Sequence, residues 1–137
     1  MQTELISFFD QNIVLPAKPV MITFDDGYAE LAENVFPQIN SRGLKPVVFL
    51  PTGLMDNPNY LNWNQIAAAG SAIEFGNHTW SHRNSFGSEA QISSEIGTAD
   101  SQLTQHGLNQ NKIMAYPYGP SSPVAEKILS GLGYKLA

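Results

Sequence analysis

Two short segments of the sequence carry side chains that could hold a divalent metal ion. Asp25 and Asp26 are adjacent carboxylates followed by Gly27, and His78 and His82 are imidazoles four residues apart. Two imidazoles and one carboxylate, with coordination positions left for water and substrate, are a ligand set suited to a hydrolytic Zn²⁺ or a similar ion. If one carboxylate binds the metal, the other can accept a proton from water, whose pKa the ion lowers. These residues therefore indicate metal-assisted hydrolysis.

A third segment, residues 116–119 (YPYG), could line the same site. Each segment also has a simpler interpretation, since DDG and YPYG are typical of turns and a pair of histidines is common on protein surfaces. Each nevertheless follows a predicted strand, and the working residues of parallel β/α folds lie just past the carboxyl ends of strands. Three such segments at one end of a sheet favour a functional site. His106 precedes Gly107 at a predicted helix end and is expected on the surface.

Short apolar runs predict the strands that must position these segments. The runs cover residues 20–24, 47–50, 72–75 and 113–116, and residues 133–137 look like the opening of a fifth strand. Apolar residues at helical spacing lie between the runs. Strands that alternate with helices predict parallel pairing through right-handed crossovers.

Capping signals set the limits of the predicted helices. Capping boxes are predicted at Asn62 with Gln65 and at Ser88 with Gln91, and helix ends at Gly43, Gly70 and Gly107. The first helical pattern contains Pro37, which should kink it near Phe36. A last helix is expected to begin at Ser122 and Pro123. The His-x-x-x-His spacing is usual in helices, but its place after Gly76 predicts a curled loop.

The expected fold class is α/β, with parallel β/α units that form part of an irregular and incomplete barrel. A complete eight-fold β/α barrel takes about 250 residues. The 137 residues present correspond to roughly half of one. Residues 1–19 are expected to form an N-terminal lead-in, in which residues 5–9 pack as an extra element, and residues 20–137 the functional domain.

Composition excludes several classes of protein. Apolar residues make up 42% and charged residues 14%, which is typical of a globular domain, and the net charge of −5 provides no basic stripe for nucleic acid. The chain has no cysteine, so its fold and its site use no thiol. No apolar stretch approaches the roughly 18 residues of a membrane span, and the N-terminus lacks the pattern of a signal peptide.

The segments 23–27 (TFDDG) and 78–82 (HTWSH) resemble the first two signature motifs of the polysaccharide deacetylase family. These NodB-homology carbohydrate esterases remove acetyl groups from N-acetylated sugars. The resemblance implies a metal-dependent hydrolase of carbon–nitrogen bonds, with a polysaccharide deacetylase-like catalytic domain at residues 20–137. The implied metal ligands are Asp26, His78 and His82, and the implied general base is Asp25.

Residues 116–119 are similar to the third family motif. The resemblance implies that the backbone N–H of Tyr118 helps to bind the oxyanion, and that Tyr116, Pro117 and Gly119 line the substrate groove. It also implies an irregular barrel of the (β/α)7 type, a zinc ion or else cobalt or nickel, an N-acetylated glycan as substrate, and an extracytoplasmic or cell-envelope location.

Two departures from the family pattern concern catalysis. The third motif usually begins with an arginine that orients the catalytic aspartate, whereas Ala115 stands at that position here. Family members with a similar AYPYG segment include some that act on β-1,6-linked N-acetylglucosamine polymers. The later motifs, which supply a hydrophobic wall and a histidine that acts as general acid, would lie beyond Ala137.

The leading hypothesis is de-N-acetylation of a polysaccharide or oligosaccharide, with activity reduced by the missing motifs. The alternatives are a non-catalytic domain that binds metal or glycan, and an amidase that acts on a small cyclic amide, since a β/α scaffold does not fix function. A half-barrel exposes an unpaired strand edge and an apolar inner face, so a homo-oligomer is expected.

Overall fold

The computed structural model describes residues 2–11 and 13–137. Its helices are α1 (Gln2–Gln11), α2 (Phe36–Ser41), α3 (Trp63–Ala68), α4 (Glu89–Gln105) and α5 (Pro123–Gly131), with a π-helical segment at Leu31–Val35 and a 3₁₀ turn at Thr52–Leu54. Its strands are β1 (Thr23–Phe24), β2 (Val47–Leu50) and β3 (Glu74–Asn77). Met1 and Asn12 of the predicted lead-in lie outside the described residues. Within these ranges, no helix has both the length and the apolar character that a bilayer crossing requires.

The strands form a parallel sheet in the order β1-β2-β3. Two further parallel bridges continue it, since Asn77 pairs with Met114 and Ile113 pairs with Leu136. The predicted α/β class with parallel β/α units is confirmed. The fourth and fifth predicted strands are reduced to these single bridges. Pro117 has no N–H with which to continue the fourth strand beyond its predicted end.

Two predicted strands have different limits in the structure. Residues 20–24 pair only at Thr23–Phe24, and Val20 is 67% exposed at this open edge of the sheet. The third strand occupies Glu74–Asn77 rather than residues 72–75, because Gly76 and Asn77 continue the pairing with β2. A side chain at Gly76 would lie 2.7 Å from the ring of Phe49, so this close pairing of β3 with β2 requires glycine.

The predicted helix signals are largely confirmed. Both capping boxes form, at Asn62 with Gln65 and at Ser88 with Gln91. The apolar residues at helical spacing between the third and fourth runs form the buried stripe of α4, namely Ile92, Ile96, Ala99 and Leu103. The kink expected at Pro37 takes the form of a π-helical segment that changes to α-helix at Phe36, since Pro37 cannot donate a backbone hydrogen bond.

The core occupies both faces of the sheet because neighbouring residues of β2 point in opposite directions. Val48 and Leu50 belong to the larger apolar cluster, which also contains Phe36 of α2 and Ile66 of α3. On the other face, Val47 and Phe49 pack with Ile113, and Ile6 of α1 packs against them. The lead-in therefore does contribute a packed element, and the sheet is fixed from both sides.

Candidate metal centre

The Asp-Asp-Gly segment forms a tight turn directly after β1. The N–H of Gly27 donates to the carbonyl of Asp25 at 2.9 Å, and Asp26 between them has a φ of 68°. This is the positive-φ form of the γ-turn, which is rare and strained. Gly27 also has a positive φ, and a side chain there would lie 2.7 Å from a methyl carbon of Leu50. The turn therefore needs this glycine, and it directs the two carboxylates differently.

The histidine segment is a curled loop after β3, as predicted, and not a helix. Thr79 and His82 both have positive φ, at 64° and 57°. The side chain of Asn77 accepts a hydrogen bond from the N–H of Thr79 at 2.8 Å, and the hydroxyl of Thr79 accepts one from the N–H of Arg83 at 3.1 Å. These two bonds close the loop from both ends and hold its strained backbone.

The structure brings Asp26, His78 and His82 together, with one potential ligand atom of each within 4.8 Å of the others. Oδ1 of Asp26 lies 3.0 Å from Nε2 of His82 and 3.6 Å from Nε2 of His78. Nitrogen and oxygen ligands about 2.0–2.1 Å from a tetrahedral zinc ion are about 3.3 Å apart. These two separations lie on either side of that value, and the separation of the two histidine ligand atoms is at most 4.8 Å, so the three side chains surround a space of the size that a zinc ion occupies.

His78 is held in a form that can bind a metal. Its Nδ1 lies 2.8 Å from the carbonyl oxygen of Ala115, and because a carbonyl only accepts, Nδ1 carries the proton. The lone pair of Nε2 therefore faces Asp26. Burial lowers the pKa of the His78 imidazole, while the bond to Ala115 and the charge of Asp25 oppose this shift. The imidazole is thus neutral near pH 7, as a metal ligand must be.

Asp25 lies outside this cluster and is exposed to solvent. It directly precedes Asp26 in the turn, so it lies near the candidate ligands, and its negative charge opposes the lowering of the His78 pKa. No described residue donates a hydrogen bond to its side chain. Ala115, which stands where the family pattern has arginine, supplies only the backbone contact to His78. Asp25 is therefore free to contact water or substrate, but its orientation is not fixed by the described residues.

The 116–119 segment lies on the other side of the histidines. The ring of Tyr118 meets that of His82 with centroids 4.9 Å apart and an interplanar angle of 60°. Pro117 is buried, whereas Tyr118 is 74% exposed and has a φ of 65°. The carbonyl of Tyr116 accepts from the N–H of Gly119 at 2.9 Å. The N–H of Tyr118 has no acceptor among the described residues, so it is available to a ligand.

Sequence reasoning missed the residues that support the histidine loop from behind. Glu95 of α4 accepts hydrogen bonds from the backbone N–H and the hydroxyl of Ser81, at 2.8 and 2.7 Å. Ser85 donates to the carbonyl of Pro120 at 2.7 Å, which ties this loop to the segment after residue 119. These contacts join residues that are far apart in sequence, so no local sequence pattern predicts them.

A second missed feature is a buried polar network beneath the loop. Asn77 is fully buried, and its Nδ2 donates to the hydroxyl of Tyr134 at 2.7 Å. That hydroxyl donates to Asp100 at 2.9 Å, and Asp100 pairs with Lys112 at 2.6 Å. Burial raises the pKa of Tyr134, so its hydroxyl stays protonated and keeps its donor role. The network fixes the strand end from which His78 projects.

His106, the third histidine, lies apart from the cluster. It caps the end of α4, as predicted, and its ring stacks on Trp63 with centroids 3.9 Å apart. Among the described residues, the candidate metal centre thus uses two histidines and leaves the third for packing.

Comparison with known proteins identifies the family and agrees with this fold. A sequence profile described as polysaccharide deacetylase matches residues 13–137. The chain belongs to the polysaccharide deacetylase family, whose members are hydrolases that act on carbon–nitrogen bonds.

Among relatives, a chitin deacetylase of Pestalotiopsis sp is 29% identical over 122 residues, which cover 82% of this chain and 38% of that protein. The poly-beta-1,6-N-acetyl-D-glucosamine N-deacetylase of Staphylococcus aureus (strain MRSA252) is 27% identical over 147 aligned residues, covering 93% of this chain and 50% of that protein. The chain therefore spans half or less of the length of these two relatives.

A solved structure extends the comparison to the fold. The Streptococcus pyogenes deacetylase PplD, in complex with acetate, superposes with a TM-score of 0.90 at 25% identity, covering 98% of this chain and 62% of that one. The chain has the fold of the (β/α)7-type barrel deacetylases and corresponds to part of that barrel.

Proposed function

We propose that this chain carries the metal centre and the general base of an enzyme that hydrolyses N-acetyl groups on a glycan. The observation that supports the proposal best is the cluster of Asp26, His78 and His82, whose candidate ligand atoms lie within 4.8 Å of one another. Asp25 directly precedes Asp26 and is exposed to solvent. Two imidazoles and a carboxylate are held around one point by loops with strained, positive-φ backbone. Such strain is typical of functional sites and is not needed for a turn that only reverses the chain.

We propose zinc as the metal, with cobalt or nickel able to replace it. The ligands would be Asp26 together with Nε2 of His78 and of His82. Two imidazoles and one carboxylate leave at least one coordination position open, as in hydrolytic zinc sites. When bound, the ion would lower the pKa of water and polarise the acetamide carbonyl.

Asp25 is proposed to take the proton from the attacking water. It is exposed and lies next to a ligand, which are the conditions for a general base. The N–H of Tyr118 is proposed to donate to the carbonyl oxygen as negative charge develops on it. Tyr116, Pro117 and Gly119 would then line the groove beside the reacting acetamide. The leaving amine needs a proton. Among the described residues, Asp25 is proposed to supply it, because it has taken one from the attacking water.

The proposed substrate is a polymer or oligomer of N-acetylglucosamine. The relatives named above are described as acting on chitin and on poly-beta-1,6-N-acetyl-D-glucosamine. Both polymers present the same acetamide, so the site chemistry does not distinguish between them. A polar polysaccharide does not diffuse through a membrane. We therefore propose that the chain acts where such polymers accumulate, outside the cytoplasm.

The test is release of acetate from chitin oligomers and from β-1,6-linked N-acetylglucosamine oligomers. We expect a chelator to abolish release and added Zn²⁺ to restore it. Acetate release that persists after exhaustive chelation would contradict a metal-dependent hydrolase.

A second candidate function is binding of metal and glycan without turnover. The observation that favours it is that no described residue orients the carboxylate of Asp25. Ala115 stands at the position where the family motif usually has the arginine that orients this aspartate. Calorimetry separates the two candidates, because binding of Zn²⁺ and of a chitin tetramer without any acetate release would support the second.

We also propose that the chain associates with a second copy of itself. The face of the sheet that packs against α1 carries an apolar cleft of about 230 Å³, which is lined by Leu5, Met21, Phe49, Ile113, Met114, Leu136 and Ala137. Unpaired strand edges beside an apolar surface promote association. Light scattering should give a mass above that of the monomer, and a well-folded monomer at all concentrations would contradict this.

A further inference from the structure

Exposed aromatic side chains are concentrated at the end of the sheet that carries the candidate metal centre. In the described ranges outside α1, every exposed Phe, Tyr or Trp lies in a loop that follows a strand or strand bridge at that end. These side chains are Tyr28, Trp80, Phe86 and Tyr118. Exposed rings are costly in water, so their restriction to one end indicates contact with a ligand that has apolar faces.

Tyr28 differs from the other three because it belongs to a preformed platform. Its ring stacks on that of Tyr60, with centroids 5.4 Å apart and an interplanar angle of 23°. The two residues also form an antiparallel bridge, and the N–H of Ala29 donates to the carbonyl of Asn59 at 3.0 Å. Tyr60 packs against the main core cluster. Two loops are thus joined into one rigid unit that leaves Tyr28 43% exposed.

This platform borders a cleft next to the candidate metal centre. The cleft has a volume of about 490 Å³ and is lined by Tyr28, Ala29, Glu30, Pro58 and Asn59. That volume lies within the range of about 300–1,000 Å³ that is usual for small-molecule sites. The cleft is adjacent to the centre because Tyr28, which lines it, lies only two residues after Asp26 and directly after the turn that positions this carboxylate.

The lining of the cleft also has a definite chemistry. An aromatic ring and a proline offer flat apolar contact, and Glu30 and Asn59 offer polar groups that can accept hydrogen bonds from hydroxyls. The lining contains no basic side chain, and the carboxylate of Glu30 would repel an anionic ligand. A pyranose ring, with apolar C–H faces and hydroxyls at its rim, matches this arrangement, whereas a uronic acid does not.

We propose that this cleft is a sugar subsite, in which the exposed face of Tyr28 stacks on a neutral or amino pyranose next to the residue whose acetamide reacts. The proposal rests on the proposed function for the position of the reacting sugar. Binding of the neighbouring sugar would hold the glycan chain across the metal centre and present the acetamide to it.

The test is calorimetric titration of the whole chain with a chitin tetramer, with acetate release measured in parallel. We expect Tyr28→Ala to weaken tetramer binding on the order of tenfold, since a stacking surface is lost, and Tyr28→Phe to bind within about twofold of the original chain. Phe9→Ala is the matched control, because Phe9 is an exposed ring on α1 that is 63% exposed. It should bind like the original chain.

Several outcomes would overturn the subsite. They are equal binding by Tyr28→Ala and the original chain, a loss as large in Tyr28→Phe as in Tyr28→Ala, and no tetramer binding by the original chain. A chain that binds the tetramer through Tyr28 but releases no acetate would contradict the proposed hydrolysis and leave the subsite supported.

The charge of the cleft is tested with an oligogalacturonate tetramer. The original chain should bind it at least about tenfold more weakly than the chitin tetramer, and Glu30→Gln should narrow that gap. Equal affinity of the original chain for the two tetramers would contradict the preference for uncharged or amino sugars.

Discussion

The candidate ligands and the candidate catalytic groups lie at the same end of the sheet, but the fold holds them very differently. His78 is 2% exposed and is bonded to Ala115, and its loop is braced by Asn77, Thr79 and Glu95. Tyr118 is 74% exposed, and no described residue orients the carboxylate of Asp25. The arrangement of the candidate ligands is therefore built into the fold, whereas the proposed proton transfer and oxyanion binding would depend on groups that a bound metal and substrate would help to position.

The largest expected effect follows from removing a preformed ligand. His78→Ala should weaken Zn²⁺ binding by more than about 100-fold, since even loss of a supporting partner of a ligand costs about 10–100-fold. Calorimetry with Zn²⁺ provides the measurement. His106→Ala is the matched control because it removes a histidine that stacks on Trp63 instead. Similar Zn²⁺ affinity of the two variants would show that the cluster is not the metal site.

The catalytic side of the comparison is tested at Asp25. Asp25→Asn should lower the rate of acetate release by about 10²–10⁴-fold, the usual contribution of a general base. Zn²⁺ affinity should stay within a few-fold of the original, because the substitution keeps the size of the side chain and leaves the three ligands in place. Unchanged acetate release would refute the assigned role, and a parallel loss of Zn²⁺ affinity would make Asp25 a ligand instead.

The site was predictable where its residues are close in sequence. The residue types and spacing of the DDG turn and of the paired histidines indicate metal binding. Because both segments follow predicted strands, the sequence also predicts that they lie close together. The same holds for α4, whose capping box and apolar stripe both formed as predicted. Local signals of this kind need no knowledge of the rest of the fold.

The supports of the site could not be predicted, because they depend on tertiary contacts. Nothing near Ser81 indicates that Glu95 will accept two of its hydrogen bonds, and nothing near Asn77 indicates Tyr134, 57 residues away. The extension of β3 to Asn77 was missed for a related reason, since Gly76 has a low strand propensity but fits against Phe49 of β2.

The preformed character of the ligand loop is tested at Tyr134. Tyr134→Phe should lower the free energy of unfolding by about 1–3 kcal/mol, because Asn77 and Asp100 lose a buried hydrogen-bond partner. Urea unfolding provides the measurement. Tyr118→Phe, which removes the same hydroxyl from an exposed ring, should change the free energy of unfolding by less than about 0.5 kcal/mol. Equal stability of the two variants would show that the buried network does not hold the loop.

The smallest expected effect concerns the side chain of Tyr118. Its proposed role belongs to the backbone N–H, and its φ of 65° is a conformation that glycine adopts without strain. Tyr118→Gly keeps the N–H and should lower the rate of acetate release by less than about tenfold, the equivalent of about 1.4 kcal/mol in the barrier. A loss as large as that of Asp25→Asn would mean that the ring, through its contact with His82 or with the glycan, carries the function assigned to the backbone. In that case the 116–119 segment would belong with the preformed part of the site. Asp25 would then be the one candidate catalytic group that the described residues do not hold in place.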